Sequence, residues 1–341
     1  MPEPRVLLIS GARERWSAKD RLGHGTMMNG VEAWAYAFGG DYVGHTFVKA
    51  EDIKKYDIVI CNTNYHYDIL AAEKQLRLAE SRPQYTKWVS MIEGCATDYL
   101  RPEAHIRELF NASDLVNSIN LPSLPLFKKL TSSKVEFIGI PYPVEQIVKL
   151  RVDFAHRSKI YICSWMDKRW NDYYVARGIG EKYYVYAKGL SRKIESLAQN
   201  WQRFKTLFDV EKSIDIAKNI YNDPQLDVRR MVSMDDYFRH NANALLWLNL
   251  DNRYTWARYV LDAAALGIPI ITTKSTGHGS ELFPETTVEN EFGIDEAIQM
   301  GKRLLQDQDF YNHVAEFPLQ RMEFLKAEPM KKRLLKALNL A

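Results

Sequence analysis

Two carboxylates and two groups of cations in this 341-residue chain have the types and settings for chemistry. The first carboxylate, Asp262, lies in the stretch 241–284, NANALLWLNLDNRYTWARYVLDAAALGIPIITTKSTGHGSELFP. The second, Glu93, ends the apolar run 86–92 (TKWVSMI) and precedes Gly94. A carboxylate at a strand tip can serve as a general base, taking a proton from an attacking hydroxyl. The same position also suits a helix cap or an ion pair with Arg101. Lys168 and Arg169 follow Ser164 just beyond the apolar run 159–164, as an anion site or as surface charges. Arg13, Arg15, Lys19, Arg21 and His24 share the polar segment 11–25. That segment reads as an anion-facing lid or as a solvated loop, and it is longer than the roughly 2–6 residues usual between strand and helix.

The elements that position Asp262 can be read from the same stretch. Residues 244–250 form an apolar run suited to a buried strand of a parallel sheet. A polar break at 251–255 precedes a predicted helix at 256–266, where Ala263, Ala264 and Ala265 permit close packing. Gly267 is placed to stop this helix, with Pro269 just beyond. A second strand at 268–272 then runs into a turn containing Gly277 and Gly279. The result is a βαβ unit with a glycine-rich exit, an arrangement that binds nucleotides at the sheet edge. A plain βαβ unit with no such ligand would show the same periodicity.

This stretch resembles the nucleotide-sugar half of GT-B glycosyltransferases. That family carries an acid on the helix, then small residues, then Gly-x-Pro and two hydrophobic residues. Asp262, Ala263, Ala264, Gly267, Ile268, Pro269 and Ile270 follow that order. Retaining members carry a further acid eight positions before the first, where this chain has Tyr254. The resemblance implies an α/β fold of two Rossmann-like, doubly wound domains facing across a cleft. It implies that Asp262 binds ribose hydroxyls and that Arg258, one turn earlier, reaches a donor phosphate. It also implies that Ser164, Lys168 and Arg169 face the diphosphate, although the glycines usual at that turn are missing. The departure at Tyr254 favours inversion, with Glu93 as the base. Around Glu93 there is a short likeness to phage DNA β-glucosyltransferases. No metal or other cofactor is required by this scheme, because side chains and helix N-termini stabilise the leaving group.

The remaining chain fits two α/β domains, since 341 residues exceed one typical core. Strands are expected at 5–10, 42–47, 56–62, 86–92, 112–117 and 135–140 in the first half. Asn62, Asn64, Tyr65 and His66 then stand at a strand's carboxyl end, the crevice side of a parallel sheet. Strands at 159–164, 183–187 and 226–232 open the second half, and the backbone near Val232 is the expected nucleobase contact. The segment from Pro141 to Glu145 echoes the family's hinge. We therefore expect an acceptor-side domain at 1–150, a nucleotide-sugar domain at 151–325, and a terminal helix within 326–341 crossing back to the first domain.

Composition narrows the class. Hydrophobic residues make up 46% and charged residues 26%, as in an ordinary globular protein. No apolar run approaches the roughly 20 residues of a membrane helix, and no signal-peptide layout opens the chain. Cys61, Cys95 and Cys163 are widely spaced and lie in or beside apolar stretches, which points to buried thiols and a cytoplasmic location. A net charge of +3 is compatible with a polyanionic acceptor but below the signature of a dedicated nucleic-acid binder. The expected reaction moves a sugar from a nucleotide-diphosphate donor, UDP being the nucleotide expected, to an acceptor hydroxyl. The acceptor is a glycan, a lipid-linked sugar or DNA with a hydroxymethylated base. A sugar-nucleotide epimerase and a non-catalytic GT-B scaffold are the alternatives.

Overall fold

The computed structural model describes residues 3–11, 15–21, 30–63, 69–92, 103–163, 170–187, 214–215, 218–219, 221–230 and 232–341. The chain divides into two compact units. The first comprises residues 1–146, 253–258 and 321–341, and the second comprises 147–252 and 259–320.

Among the described residues, the first unit is built on strands β1 (Val6–Ser10), β2 (Arg15–Ser17), β3 (Asp41–Gly44), β4 (Ile58–Asn62), β5 (Lys87–Met91), β6 (Leu115–Ser118) and β7 (Lys134–Phe137). They form one sheet in the order β2-β3-β1-β4-β5-β6-β7. All neighbours pair in parallel except β2 with β3. β1 and β4 are buried along their whole length, which explains why they read as unbroken apolar runs rather than alternating ones. Leu7, Ile9, Val59, Cys61 and Trp88 pack into one core on this sheet. Each large apolar side chain buried in such a core stabilises the fold by about 1.5–3 kcal/mol.

Part of the segment expected as a polar loop at 11–25 is β2, which extends the sheet at its edge. The cause is tertiary. Trp16 stacks on Tyr42 with ring centroids 4.8 Å apart, and Arg15 forms a two-pronged pair with Asp52. The C-terminal helix Ala327–Ala337 also belongs to this unit. Lys134 donates to the Ala337 carbonyl over 2.8 Å, and Arg333 to the Ile138 carbonyl over 3.0 Å.

In the second unit the described strands are β8 (Ile160–Ile162), β9 (Tyr183–Ala187), β10 (Leu226–Arg230), β11 (Leu246–Asn249), β12 (Ile270–Thr273) and β13 (Thr287–Val288). Their order is β10-β9-β8-β11-β12-β13, parallel throughout. Among the described residues, helices follow β8, β10, β11 and β12. The helix Arg258–Leu266 is buried from Val260 to Leu266, so the run of three alanines serves close packing. Gly267 ends it at a φ of +64°, the left-handed conformation glycine adopts without steric cost. The helix Trp170–Ile179 packs on the helix Ile294–Gln306 through two glycines. A Cβ on Gly178 would meet Ile298 at 2.3 Å, and one on Gly301 would meet Ile179 at 2.3 Å.

Candidate functional site

In the second unit the strand order reverses between β8 and β11, so the crevice of a doubly wound sheet opens at their carboxyl ends. Cys163 ends the described part of the β8 side, and Ser164, Lys168 and Arg169 lie outside the described residues. On the β11 side, the Leu250 N–H donates to Asp172 Oδ1 over 2.7 Å. Asp172 is fully buried in the first turn of its helix, and its carboxylate fixes how the chain leaves β11. The next strand end closes around the same segment. Thr272 donates to the Asn249 carbonyl over 3.1 Å, and the hydroxyls of Thr273 and Ser275 both donate to the Asp251 carbonyl. Thr272 and Thr276 share a hydroxyl contact of 3.0 Å. Gly279 fits because nothing larger would: a Cβ there would stand 2.3 Å from Thr276 Oγ1. The end of β12 and the turn after it thus brace the crevice edge with hydroxyl-to-carbonyl bonds.

Asp262 stands on the helix that follows β11, and its carboxylate is fully buried. Tyr237, on the helix Met234–Asn241, donates to Asp262 Oδ2 over 3.3 Å. That helix is capped by Ser233, whose hydroxyl accepts from the Asp236 N–H. Beneath Tyr237 lies a bed of rings set by sheet register. Tyr184, Tyr161 and Trp247 occupy one row across β9, β8 and β11. Tyr161 stacks on Tyr184 at 5.1 Å and meets Trp247 edge-on at 4.9 Å. Burial pushes the hydroxyls of Tyr161 and Tyr184 well above the usual tyrosine range, so both stay protonated and neutral. Arg229 lies 3.8 Å from the Tyr184 ring centroid and pairs with Asp227 at 2.9 Å. Arg258 is the first residue of the Arg258–Leu266 helix, one turn before Asp262.

In the first unit the order reverses between β1 and β4. At that edge Asn62 donates to Ser10 Oγ over 3.3 Å, and Thr63 bonds the Met91 carbonyl through both its N–H and its hydroxyl. Glu93, Arg13, His24, Asn64, Tyr65 and His66 lie outside the described residues. Arg15 is placed, and it binds Asp52 at 3.1 and 2.6 Å through its two terminal nitrogens. Tyr254 belongs to this unit, where Asn120 donates to its carbonyl over 2.8 Å. Trp256 meets Tyr142 edge-on at 6.1 Å.

Of the residues singled out from the sequence, Asp262 and Arg258 share one helix, whereas Arg15 is committed to a carboxylate of its own unit. Sequence reasoning missed Tyr237 and Asp172. Tyr237 is an aromatic at a helix position four residues after a serine cap, and Asp172 an acid in a helix's first turn. Both patterns are common, and only the fold reveals their partners. Among the described residues, no three His, Cys, Asp or Glu side chains come together to hold a metal ion. Nor is any helix there long and apolar enough to cross a membrane.

Solved structures share this two-sheet fold over nearly the whole chain. An E. coli trehalose-6-phosphate structure with bound UDP-2-fluoro glucose matches with a TM-score of 0.65 at 11% identity, covering 99% of this chain and 99% of that one. The chain has the GT-B fold. The sucrose-phosphate synthase of Thermosynechococcus elongatus matches at 0.62 and 12% identity, covering 98% of each chain. An alpha-glucosyltransferase in complex with UDP and a 13-mer DNA matches at 0.60 and 11% identity, covering 99% of this chain and 100% of that one. No protein-family profile and no curated protein sequence matches the chain.

Proposed function

We propose that this chain is a glycosyltransferase that moves a sugar from a UDP-linked donor to an acceptor hydroxyl. One observation carries the reading. The stretch that resembles the GT-B donor half folds as the strand, helix and strand beside the reversal point of the second sheet, with Asp262 on that helix. The GT-B structures it matches include several holding UDP or a UDP-sugar. In this reading Asp262 accepts hydrogen bonds from the ribose hydroxyls. Its carboxylate is fully buried, so in this reading the wall over it opens to a bound donor. Arg258, Ser164, Lys168 and Arg169 neutralise the diphosphate.

Transfer proceeds with inversion in this scheme. Glu93 takes the proton of the acceptor hydroxyl, and the acceptor oxygen forms a bond to the anomeric carbon. The bond from that carbon to the diphosphate breaks on the opposite face, and UDP leaves with the electron pair. Tyr254, at the position where retaining relatives carry an acid, supports this assignment. The acceptor is a glycan, a lipid-linked sugar or modified DNA. The DNA in one matched structure favours the last, with Arg13 and His24 on the acceptor side. Arg15 can join them only by leaving Asp52. Binding to DNA should then weaken steeply with salt as neutralised phosphates release counterions. Failure to retain DNA at low salt would remove that acceptor.

The test of the donor reading is thermal. UDP at a hundred times its dissociation constant should stabilise the protein by about 2.7 kcal/mol. An unchanged melting temperature with every nucleoside diphosphate tried would overturn it.

A further inference from the structure

The phenol of Tyr237 reaches Asp262 from a setting that leaves it little freedom. Tyr237 is 4% exposed. Its ring contacts Tyr161, Tyr186 and Trp247, each at 6.2 Å between centroids, and Phe238 at 5.3 Å. These rings come from β8, β9, β11 and the same helix, so the Tyr237 rotamer is held from several elements at once. Its hydroxyl sits 3.3 Å from Asp262 Oδ2, within a carboxylate that is itself fully buried. A buried carboxylate needs partners of fixed direction, because an ill-placed one leaves charge uncompensated at low dielectric. Whatever opens to admit a nucleotide, Tyr237 cannot swing aside without breaking those ring contacts.

We infer that Tyr237 is a positioning residue for the donor site: its hydroxyl holds one oxygen of Asp262 so that the carboxylate meets ribose hydroxyls in a fixed orientation. The inference rests on the proposed role of Asp262 and adds the residue that sets how well the site tells a ribonucleotide from its deoxy analogue. Tyr237 touches no substrate, and its effect passes through Asp262. Supporting a binding group by locked neighbours in this way preserves its geometry when ligand arrives.

The experiment is calorimetry of UDP and of 2′,3′-dideoxy-UDP on the full chain, with Tyr237→Phe, Asp262→Asn and the double variant. Tyr237→Phe keeps the ring that fills the cluster and removes only the hydroxyl, so melting confirms the fold. The wild type should prefer UDP. In Tyr237→Phe, UDP should bind roughly three- to tenfold more weakly, the scale of one lost hydrogen bond, while dideoxy-UDP is unaffected. In the Asp262→Asn background, adding Tyr237→Phe should change UDP affinity no further, because the two act as one unit. A Tyr237→Phe variant that keeps the full preference, or that weakens both nucleotides equally, overturns the inference and leaves the donor reading standing. A wild type that binds both nucleotides equally removes the ribose role of Asp262, and the inference falls with it.

Discussion

The two units wind their sheets alike yet arm their carboxyl edges differently. In the second unit, the threonine hydroxyls that end β12 and the serine hydroxyl just beyond it close on the Asn249 and Asp251 carbonyls, and Asp172 fixes the exit of β11. A buried carboxylate, Asp262, then stands on the following helix with a tyrosine locked against it. In the first unit the described edge carries neutral polar side chains, Ser10, Asn62 and Thr63 at the reversal point and Ser118 and Asn120 at the end of β6. Its one described cation from the Arg13–Arg21 group with a placed side-chain partner, Arg15, is bound by Asp52. A cation in a stretch that reads as a loop is therefore not automatically a cation for a ligand: Arg15 sits in β2 and is held by Asp52.

The contrast predicts effects of different kind in the two units. The largest should come from Glu93→Gln, which keeps size and hydrogen bonding but removes the base. Turnover should fall by about a hundredfold or more with UDP affinity unchanged. Near-normal turnover would take Glu93 out of the mechanism. Asp262→Ala should act on binding instead. Losing a charge-assisted bond to ribose should cost about 1.5–3 kcal/mol of UDP affinity, and calorimetry showing full affinity on a folded variant would end the ribose assignment.

Gly267→Ala tests whether the Asp262 helix is held by its end. The residue has a φ of +64°, and a Cβ there would stand 1.9 Å from Arg151 Nη2. Arg157 also donates to the Gly267 carbonyl over 2.7 Å. The strain should destabilise the protein by about 1–3 kcal/mol, read as a lower denaturant midpoint. An unchanged midpoint would mean the helix end relaxes freely.

The smallest effect belongs to Arg15→Ala, about 1 kcal/mol for a half-exposed pair, with UDP binding untouched. Hydrogen bonding to Arg15 holds the Asp52 carboxyl below its usual value. A lowered carboxylate pKa adds stability that is present above the unfolded value, about 3.9, and is lost as pH falls through the folded value. The wild type should therefore lose more stability than Arg15→Ala on acidification below about pH 4. Parallel acid curves for the two proteins would show that the pair contributes nothing.

Much of the fold was legible because local signals and burial agree. The strand at 183–187 falls where the pattern places it, and the βαβ unit around Asp262 folds as its apolar runs and Gly267 imply. What could not be read depends on partners distant in sequence. β2 is three residues long and exists through Trp16 on Tyr42 and Arg15 on Asp52. The return of residues 253–258 to the first unit involves a bond from Asn120 to the Tyr254 carbonyl, 134 positions apart. At the site, the helix carrying Asp262 was legible from its small residues, but the Tyr237 contact was not, since it needs two helices placed over one sheet.

In the proposed function this chain cleaves a UDP-sugar at the anomeric bond. The direct measurement is UDP release from a panel of UDP-sugars, with the product's anomeric configuration followed by NMR. The expected result is UDP release with at least one donor, an inverted product, and loss of that activity in Glu93→Gln. No UDP release from any donor, together with no nucleotide-induced rise in melting temperature, would contradict it.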